Sequence, residues 1–579
     1  MNSLFPILAA SGATLALAAT LLLPLGLLVL AAASRGWRWL PRTLGLAPLP
    51  GLAAALLWRD GAILVLDPDG LRLTLGLDRP RALLLGATAL LWSLAGAYAG
   101  TYLRGDRQAG RFAVYWLLTL TGCLGVFLAG DLASFYLLYS LMSLAAYGLV
   151  VHDGTPAARR AATVYLVLAV LGEAFLLIAF VLLHAASPGD SLLIRDVVAA
   201  LPDSPHRLQT LIFLLLGFGL KMGLVPLHGW LPLAHPAAPM PASAVLSGAI
   251  VKTGVIGFVA FVPWAAPLPD AGAVLLAMGL FSAFYAVLMG ITQANPKTVL
   301  AYSTVSQMGL VAAVLGAGLG LGSADAALVA AFYAVHHVLV KGALFLAVGV
   351  AAKTPARSRW TVLAPCAALA LRFAGLPLTG GMVAELATKP YLAGGLVKPL
   401  ATLSASGSAL LMLHFLRRLA ALPAPEGPRP APVGLVWPWA VAGIAAVAMP
   451  WALYAVMPGG RPAEALTAQA LWAALWPVLV GAGLALALFR WGRALPAVPE
   501  GDVICYGERA AREVVRWSAR ADTADSWLRR WPVAGAAALA LALALAALLV
   551  GAEAPGRDAG TPAGGGGLAP AGPPPPPGA

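Results

Sequence analysis

Sixteen apolar runs, most of them about 20 residues long, follow one another along 579 residues, and this recurrent length dictates the fold class. Roughly 20 helical residues cross the ~30 Å hydrocarbon layer of a bilayer. Inside that layer every backbone N–H and C=O has to be satisfied, which leaves helices and closed barrels. Barrel strands alternate apolar and polar residues with period 2, and these runs do not. The chain reads as an all-α polytopic membrane protein of about 16 transmembrane helices. Composition agrees, with 60% hydrophobic and 11% charged residues against about 25% charged in a soluble domain. The first run, 7–33, is longer than a signal-peptide core and has no basic residue before it, so it reads as a retained span. The second, 43–58, is short. The seventh, 208–231, and the twelfth, 361–395, contain helix breakers, and the last is 531–551.

Basic residues settle on the cytoplasmic side of membrane proteins. Loops after odd-numbered spans hold 23 of the 37 Lys and Arg residues, from Arg35, Arg38 and Arg42 through Arg159, Arg160 and Lys297 to the arginines of 490–530. Loops after even-numbered spans hold eight, together with the acids Asp60, Asp67, Asp69, Asp190, Asp196 and Asp203. The asymmetry implies a multi-pass protein of a bacterial inner membrane with both termini outside. It also accounts for the net charge of +13 without nucleic acid as a partner. Three further segments are read as non-spanning. Residues 61–77 alternate loosely around an Asp-Gly turn, as an external hairpin would. Residues 505–530 carry Val514, Val515, Trp517 and Trp527 among many arginines, which fits an amphipathic helix on the cytoplasmic membrane face. From 555 to 579 the chain is Gly/Pro low complexity and is expected to be disordered.

Against this apolar background, charges inside spans are conspicuous. Lys221, Lys252 and Lys341 each lie in the middle of an apolar run, Lys341 beside His336 and His337. A lysine at the bilayer centre costs at least about 2.5–3.5 kcal/mol. Three of them call for a hydrated or ion-paired interior, and the default reading is a proton or ion pathway. His337 and Lys341 are spaced i,i+4 and share a helix face; His336 points elsewhere. Pro226, Pro232, Pro236, Pro239 and Pro241 prevent a continuous helix after Lys221. Gly375, Pro377, Gly380 and Gly381 predict a second break just before Glu385. Broken membrane helices are tolerated where the freed backbone faces protein or water, and they recur at the ion sites of transporters. His228 and His235 flank the first break and could feed a half-channel from the cytoplasm.

Residues 221–258, KMGLVPLHGWLPLAHPAAPMPASAVLSGAIVKTGVIGF, resemble the signature of the antiporter-like proton-conducting subunits. These are the L, M and N subunits of respiratory complex I, the membrane subunits of energy-converting hydrogenases, and the A and D subunits of Mrp sodium/proton antiporters. NPKTVLAYSTVSQMGL (295–310), HHVLVKGALFLAVG (336–349) and GLPLTGGMVAE (375–385) follow in the family's order, and Asp78 fits an aspartate before the third span. The resemblance covers roughly residues 60–420. It implies two inverted five-helix repeats, 111–263 and 271–420, with helices 7 and 12 broken. They would follow N-terminal helices over 1–110 and precede C-terminal helices over 434–551. It further implies a polar axis in the membrane plane made of Lys221, Lys252, His337, Lys341 and Glu385.

One position departs from the pattern. In FYLLYSLMSLAAYGLV (135–150), Ser140 stands where the family carries the glutamate that pairs with the lysine of the seventh span. Glu173 in the sixth span, and less favourably Asp131 at the border of the fifth, are the candidate replacements. The chain offers no redox ligands: Cys123, Cys366 and Cys505 are far apart, and no Gly-rich dinucleotide loop occurs. No cofactor and no metal site are expected, and whether the chain is part of an enzyme rests on its partners. The implied function is translocation of protons, and possibly sodium, within a multi-subunit membrane complex. Two alternatives are a membrane partner in a proton-coupled inorganic-carbon uptake system and a stand-alone secondary transporter.

Overall fold

The computed structural model describes residues 12–34, 36–58, 63–66, 73–187, 189, 191–425, 429–492 and 498–528, with 536, 539 and 540. The chain is a multi-pass, all-α membrane protein, and among the described residues 12 helices are long and apolar enough to cross a bilayer. The first part comprises α1 (Gly12–Ala33), α2 (Leu40–Thr43), α3 (Leu49–Leu56), α4 (Arg79–Tyr102), α5 (Ala109–Leu128), α6 (Leu132–Val150), α7 (Pro156–Ala185) and α8 (Ile194–Ala200). The centre holds α9 (Arg207–Met222), α10 (Leu231–Ala237), α11 (Met240–Val245), α12 (Lys252–Phe261), α13 (Pro269–Gly290), α14 (Pro296–Leu321) and α15 (Asp325–Ala352). Then come α16 (Trp360–Arg372), α17 (Gly380–Thr388), α18 (Val397–Ala420), α19 (Val433–Tyr454), α20 (Pro462–Ala465), α21 (Ala468–Trp491) and α22 (Asp502–Leu528).

Four of the sixteen apolar runs are not among those 12 long helices. Residues 43–58 fold into the end of α2, a turn and α3; Pro48 and Pro50 restart the chain, and eight residues rise only about 12 Å. The seventh run stops at Gly223, which takes a left-handed conformation at φ 76°. After the Pro-rich turn the chain resumes as α10. The twelfth divides into α16 and α17 around Gly375 at φ 72° and Leu378 at φ 63°. Run 531–551 and the tail from 555 lie essentially outside the described residues, as does the turn of the 61–77 hairpin. The hairpin's strands, β1 (Ile63–Leu66) and β2 (Leu73–Gly76), pair antiparallel with Ile63 opposite Gly76.

α15 is the hub. It is apolar around its whole circumference, and its spanning window is entirely buried, as expected of a helix without a polar face. α4, α11, α14, α16, α17 and α19 surround it. This placement carries His336, His337 and Lys341 away from lipid. α12 crosses α9 at Gly254, where an added Cβ would stand 2.8 Å from the Phe218 carbonyl oxygen and 3.0 Å from the Met222 nitrogen. The close approach brings the helix that begins with Lys252 onto the one that carries Lys221. Gly254→Val is therefore expected to destabilise the detergent-solubilised protein by about 1–3 kcal/mol through overpacking, read as a lowered Tm. An unchanged Tm would mean that the crossing is loose.

Residues up to Cys505 form one compact unit, and those from Tyr506 onward a second. In the second, α22 continues as a helix that exposes Val514, Val515 and Trp517.

Candidate functional site

Lys221 closes α9 and is 2% exposed. Its Nζ donates to Ser143 Oγ at 2.7 Å and lies over the rings of Tyr139 and Tyr165, 5.0 and 5.7 Å from their centroids. Ser143 is one helical turn beyond Ser140 on α6, so both serines face α7. Glu173 comes from α7, is 7% exposed, and lies beside Ser140, Ser143 and Lys221. Its Oε1 is buried without a hydrogen-bond partner. The acid and the lysine thus flank a serine pair, outside direct ion-pair distance. Asp131 is occupied elsewhere. It caps α6 by accepting from the Ser134 N–H at 2.7 Å, and ties β2 to that helix through the Thr74 N–H at 2.6 Å.

Lys252 follows a π-helical turn, Leu246–Ile250. Such a turn takes carbonyls out of the α ladder and recurs at functional positions. The Lys252 Nζ takes up one of them, donating to Ser247 O at 2.8 Å, and lies 2.5 Å from His337 Nδ1. The Ser247 hydroxyl, 2.7 Å from that of Thr304, pins the turn to α14. One turn along α15 from His337, Lys341 Nζ donates to Leu300 O at 2.8 Å and to the Ser303 hydroxyl. The Phe373 ring, just before the second break, sits 5.0 Å from Lys341 Nζ and 5.5 and 5.7 Å from the rings of His337 and His336. His336 is buried, with neither nitrogen hydrogen-bonded.

Glu385 folds back over the second break. An added Cβ on Gly375 would fall 2.4 Å from Glu385 Oε2, so the carboxylate lies directly against the glycine backbone. Glu385 also lines a cavity of about 480 Å³ with Tyr333, Thr388, Lys389, Lys398 and Trp476. Tyr333 donates to Gln307 Oε1 at 2.6 Å, and Gln307 Nε2 donates to Ser408 Oγ at 3.0 Å. A larger cavity, about 860 Å³, lies among the loop cations Arg38, Arg42, Arg104, Arg107 and Arg111 and contains none of these residues. There Asp106 bonds His152 at 2.7 Å. Burial opposes the Asp106 charge, yet the Gln108 N–H, His152 and Arg111 hold its carboxyl below the usual carboxylate range.

The two histidines of the first break take different places. His235 is fully buried with both nitrogens free of hydrogen bonds. It packs on the Phe345 ring at 4.9 Å, within electrostatic reach of Lys297, Lys341 and Lys252. His228 lies with its Nε2 3.3 Å from Asp502 Oδ1. Burial opposes the Asp502 charge, but His228, the Tyr285 hydroxyl and the Val503 N–H hold that carboxyl below the usual range.

Sequence reading counted Lys297 with the solvated loop cations; it is instead 5% exposed, with its Nζ on the carbonyls of Pro236 and Ala238. The signal was present: a lysine in the first turn of α14, behind the Asn295 cap, opposes the helix dipole and so has another reason to be there. Ser143, Gln307 and Tyr333 carry no such signal. Among the described residues, no cluster of His, Cys, Asp and Glu could hold a metal ion.

The family described as NADH:quinone oxidoreductase/Mrp antiporter, TM, matches residues 129–388. NADH-quinone oxidoreductase subunit N of Desulforudis audaxviator is 36% identical over 264 residues, which is 44% of this chain and 51% of that protein. The chain thus spans about half the length of that relative. Subunit M of Pseudomonas aeruginosa is 30% identical over 382 residues, 60% of this chain and 72% of that one. In solved structures, a chain of the Mrp complex from Dietzia sp. DQ12-45-1b superposes with a TM-score of 0.73 at 21% identity, covering 96% of this chain and 64% of its own. That likeness is one of fold.

Proposed function

Because the chain belongs to the family of NADH:quinone oxidoreductase and Mrp antiporter membrane subunits, we propose that it translocates protons, and possibly sodium, as one subunit of a multi-subunit complex in a bacterial inner membrane. The axis would run from Glu173 and Lys221 through Lys252, His337 and Lys341 to Glu385, with His336 beside it and His228 and His235 giving access from the basic-loop side. The observation that carries this reading is the contact between Lys252 and His337, which joins α12 to the hub helix α15. Around it Lys341, His235 and Lys297 gather with no carboxylate in ion-pair contact among the described residues. Several buried cations without an ion-paired acid are costly to keep charged together, which suits a cluster that passes protons on. The paired breaks in 208–231 and 361–395 support the two inverted repeats, and the loop charges support sixteen crossings with both termini outside.

Glu385 would then be the exchange group at the far end. Glu385→Gln keeps the shape over Gly375 and removes the charge. Proton uptake by membrane vesicles containing the full chain and its partner subunits is expected to fall by about tenfold or more. Glu385→Lys is expected to keep a measurable part, since the family's motif accepts Lys or Glu here. Uptake at the wild-type rate in the Gln variant would remove Glu385 from the axis.

A further inference from the structure

The segment Val498–Cys505 lies beyond the family match and seats itself on the first broken helix. Gln293 Nε2 donates to Val498 O at 3.2 Å, and the Thr298 hydroxyl donates to Glu500 Oε1 at 2.6 Å. Gly501, at φ 78°, turns the chain against Leu233. Ile504 packs on Gly229, where an added Cβ would meet its Cγ1 at 2.5 Å. Between these anchors the Asp502 side chain is 5% exposed. It accepts from the Tyr285 hydroxyl at 2.6 Å and faces His228 Nε2 at 3.3 Å. His228 is completely buried with neither ring nitrogen hydrogen-bonded, and the equally buried Tyr302 hydroxyl has no hydrogen-bond partner either. Their rings lie 6.2 Å apart.

A strap needed only for packing would bury apolar side chains, since desolvating a carboxylate costs several kcal/mol unless its partners repay it. This strap brings two acids to the site: Asp502 to His228, and Glu500 to within electrostatic reach of Lys297, which Asp153 also reaches. His228 lies in the stretch 223–238 that also carries His235, and Lys297 borders it through the carbonyls of Pro236 and Ala238. An acid within ion-pair distance of one His228 nitrogen, with the other nitrogen free, sets a proton acceptor beside a buried imidazole, as a relay requires.

We propose that Asp502 is a proton-relay carboxylate of the His228 site, and that the docked strap Val498–Cys505 completes proton access to the axis from the basic-loop side. This rests on the proton-axis reading above. The experiment uses the full chain with its partner subunits in membrane vesicles and compares Asp502→Asn, Asp502→Glu and Lys252→Ala. Two quantities are read: proton uptake, and the rate at which Cys505 is alkylated by a maleimide, followed by mass spectrometry. Cys505 belongs to the strap, with its Sγ 3.9 Å from an Arg160 nitrogen, so its labelling reports seating. Asp502→Asn is expected to cut uptake about tenfold with Cys505 labelling unchanged, and Asp502→Glu to restore most of it. Uptake at the wild-type rate in Asp502→Asn, with Lys252→Ala inactive, would overturn the relay while leaving the axis intact. So would a loss of uptake accompanied by fast Cys505 labelling, since the residue would then merely hold the strap in place. Wild-type uptake in Lys252→Ala would instead sink the axis reading, and the relay with it.

Discussion

Lys252→Ala and Lys221→Ala are each expected to bring proton translocation down to the background leak, a loss on the order of 100-fold, while insertion into the membrane is unimpaired or improved. The two halves of this expectation have separate causes. Removing a central lysine relieves an insertion cost of at least about 2.5–3.5 kcal/mol, so expression should not fall. Yet the Lys252 Nζ occupies the carbonyl of Ser247 and stands against His337, and alanine leaves both without it. The proton would then have to reach His337 on α15 with no titratable group on the α12 side of the crossing. Lys221→Ala removes the group between Ser143 and the rings of Tyr139 and Tyr165. The check is proton uptake in vesicles at matched protein levels. Activity near wild type in both variants would reduce these lysines to structural cations.

Much of this site can be read from the sequence because apolar spans leave so little else to interpret. A lysine in a run such as ASAVLSGAIVKTGVIGF has no bland alternative as common as a surface lysine has in a soluble protein, and prolines and glycines announce both breaks. What the sequence hides is contact made at a distance. Ser143 and Ser140 are indistinguishable as residue types, and only the rotation of α6 against α9 decides which one meets Lys221. Asp502 follows Glu500 and Gly501 and looks like an ordinary helix-leading acid; nothing local tells that Gln293 and Thr298 hold its strap against the core. Lys297 misled because the positive-inside rule counts a cation by its position in a loop, whereas burial depends on what packs over it. The π turn before Lys252 is invisible for a related reason, being set by the Ser247–Thr304 contact between helices and not by local propensity.

The substitution at Ser140 leads to the other large effect. Among the described residues Lys221 has no carboxylate in direct contact, but Glu173 lies just across Ser140 and Ser143 with one oxygen unsatisfied. Opposite charges need not touch to attract: at an effective dielectric of about 20 the attraction falls only inversely with separation, from about 4 kcal/mol at about 4 Å. Glu173→Gln is therefore expected to mimic the loss of the family's usual glutamate, cutting proton uptake about tenfold or more. Adding Ser140→Glu to it should restore part of the rate, because the new carboxylate starts on α6 at the place the family's motif uses, one turn from the serine that Lys221 already contacts. The double variant separates a charge requirement from a packing one: glutamate in place of serine adds bulk to a buried site and can recover function only by supplying the missing charge. Wild-type uptake in Glu173→Gln would show that Lys221 works without an acid. A slow Glu173→Gln variant that Ser140→Glu fails to improve would place the Glu173 role in the packing of α7 against α9.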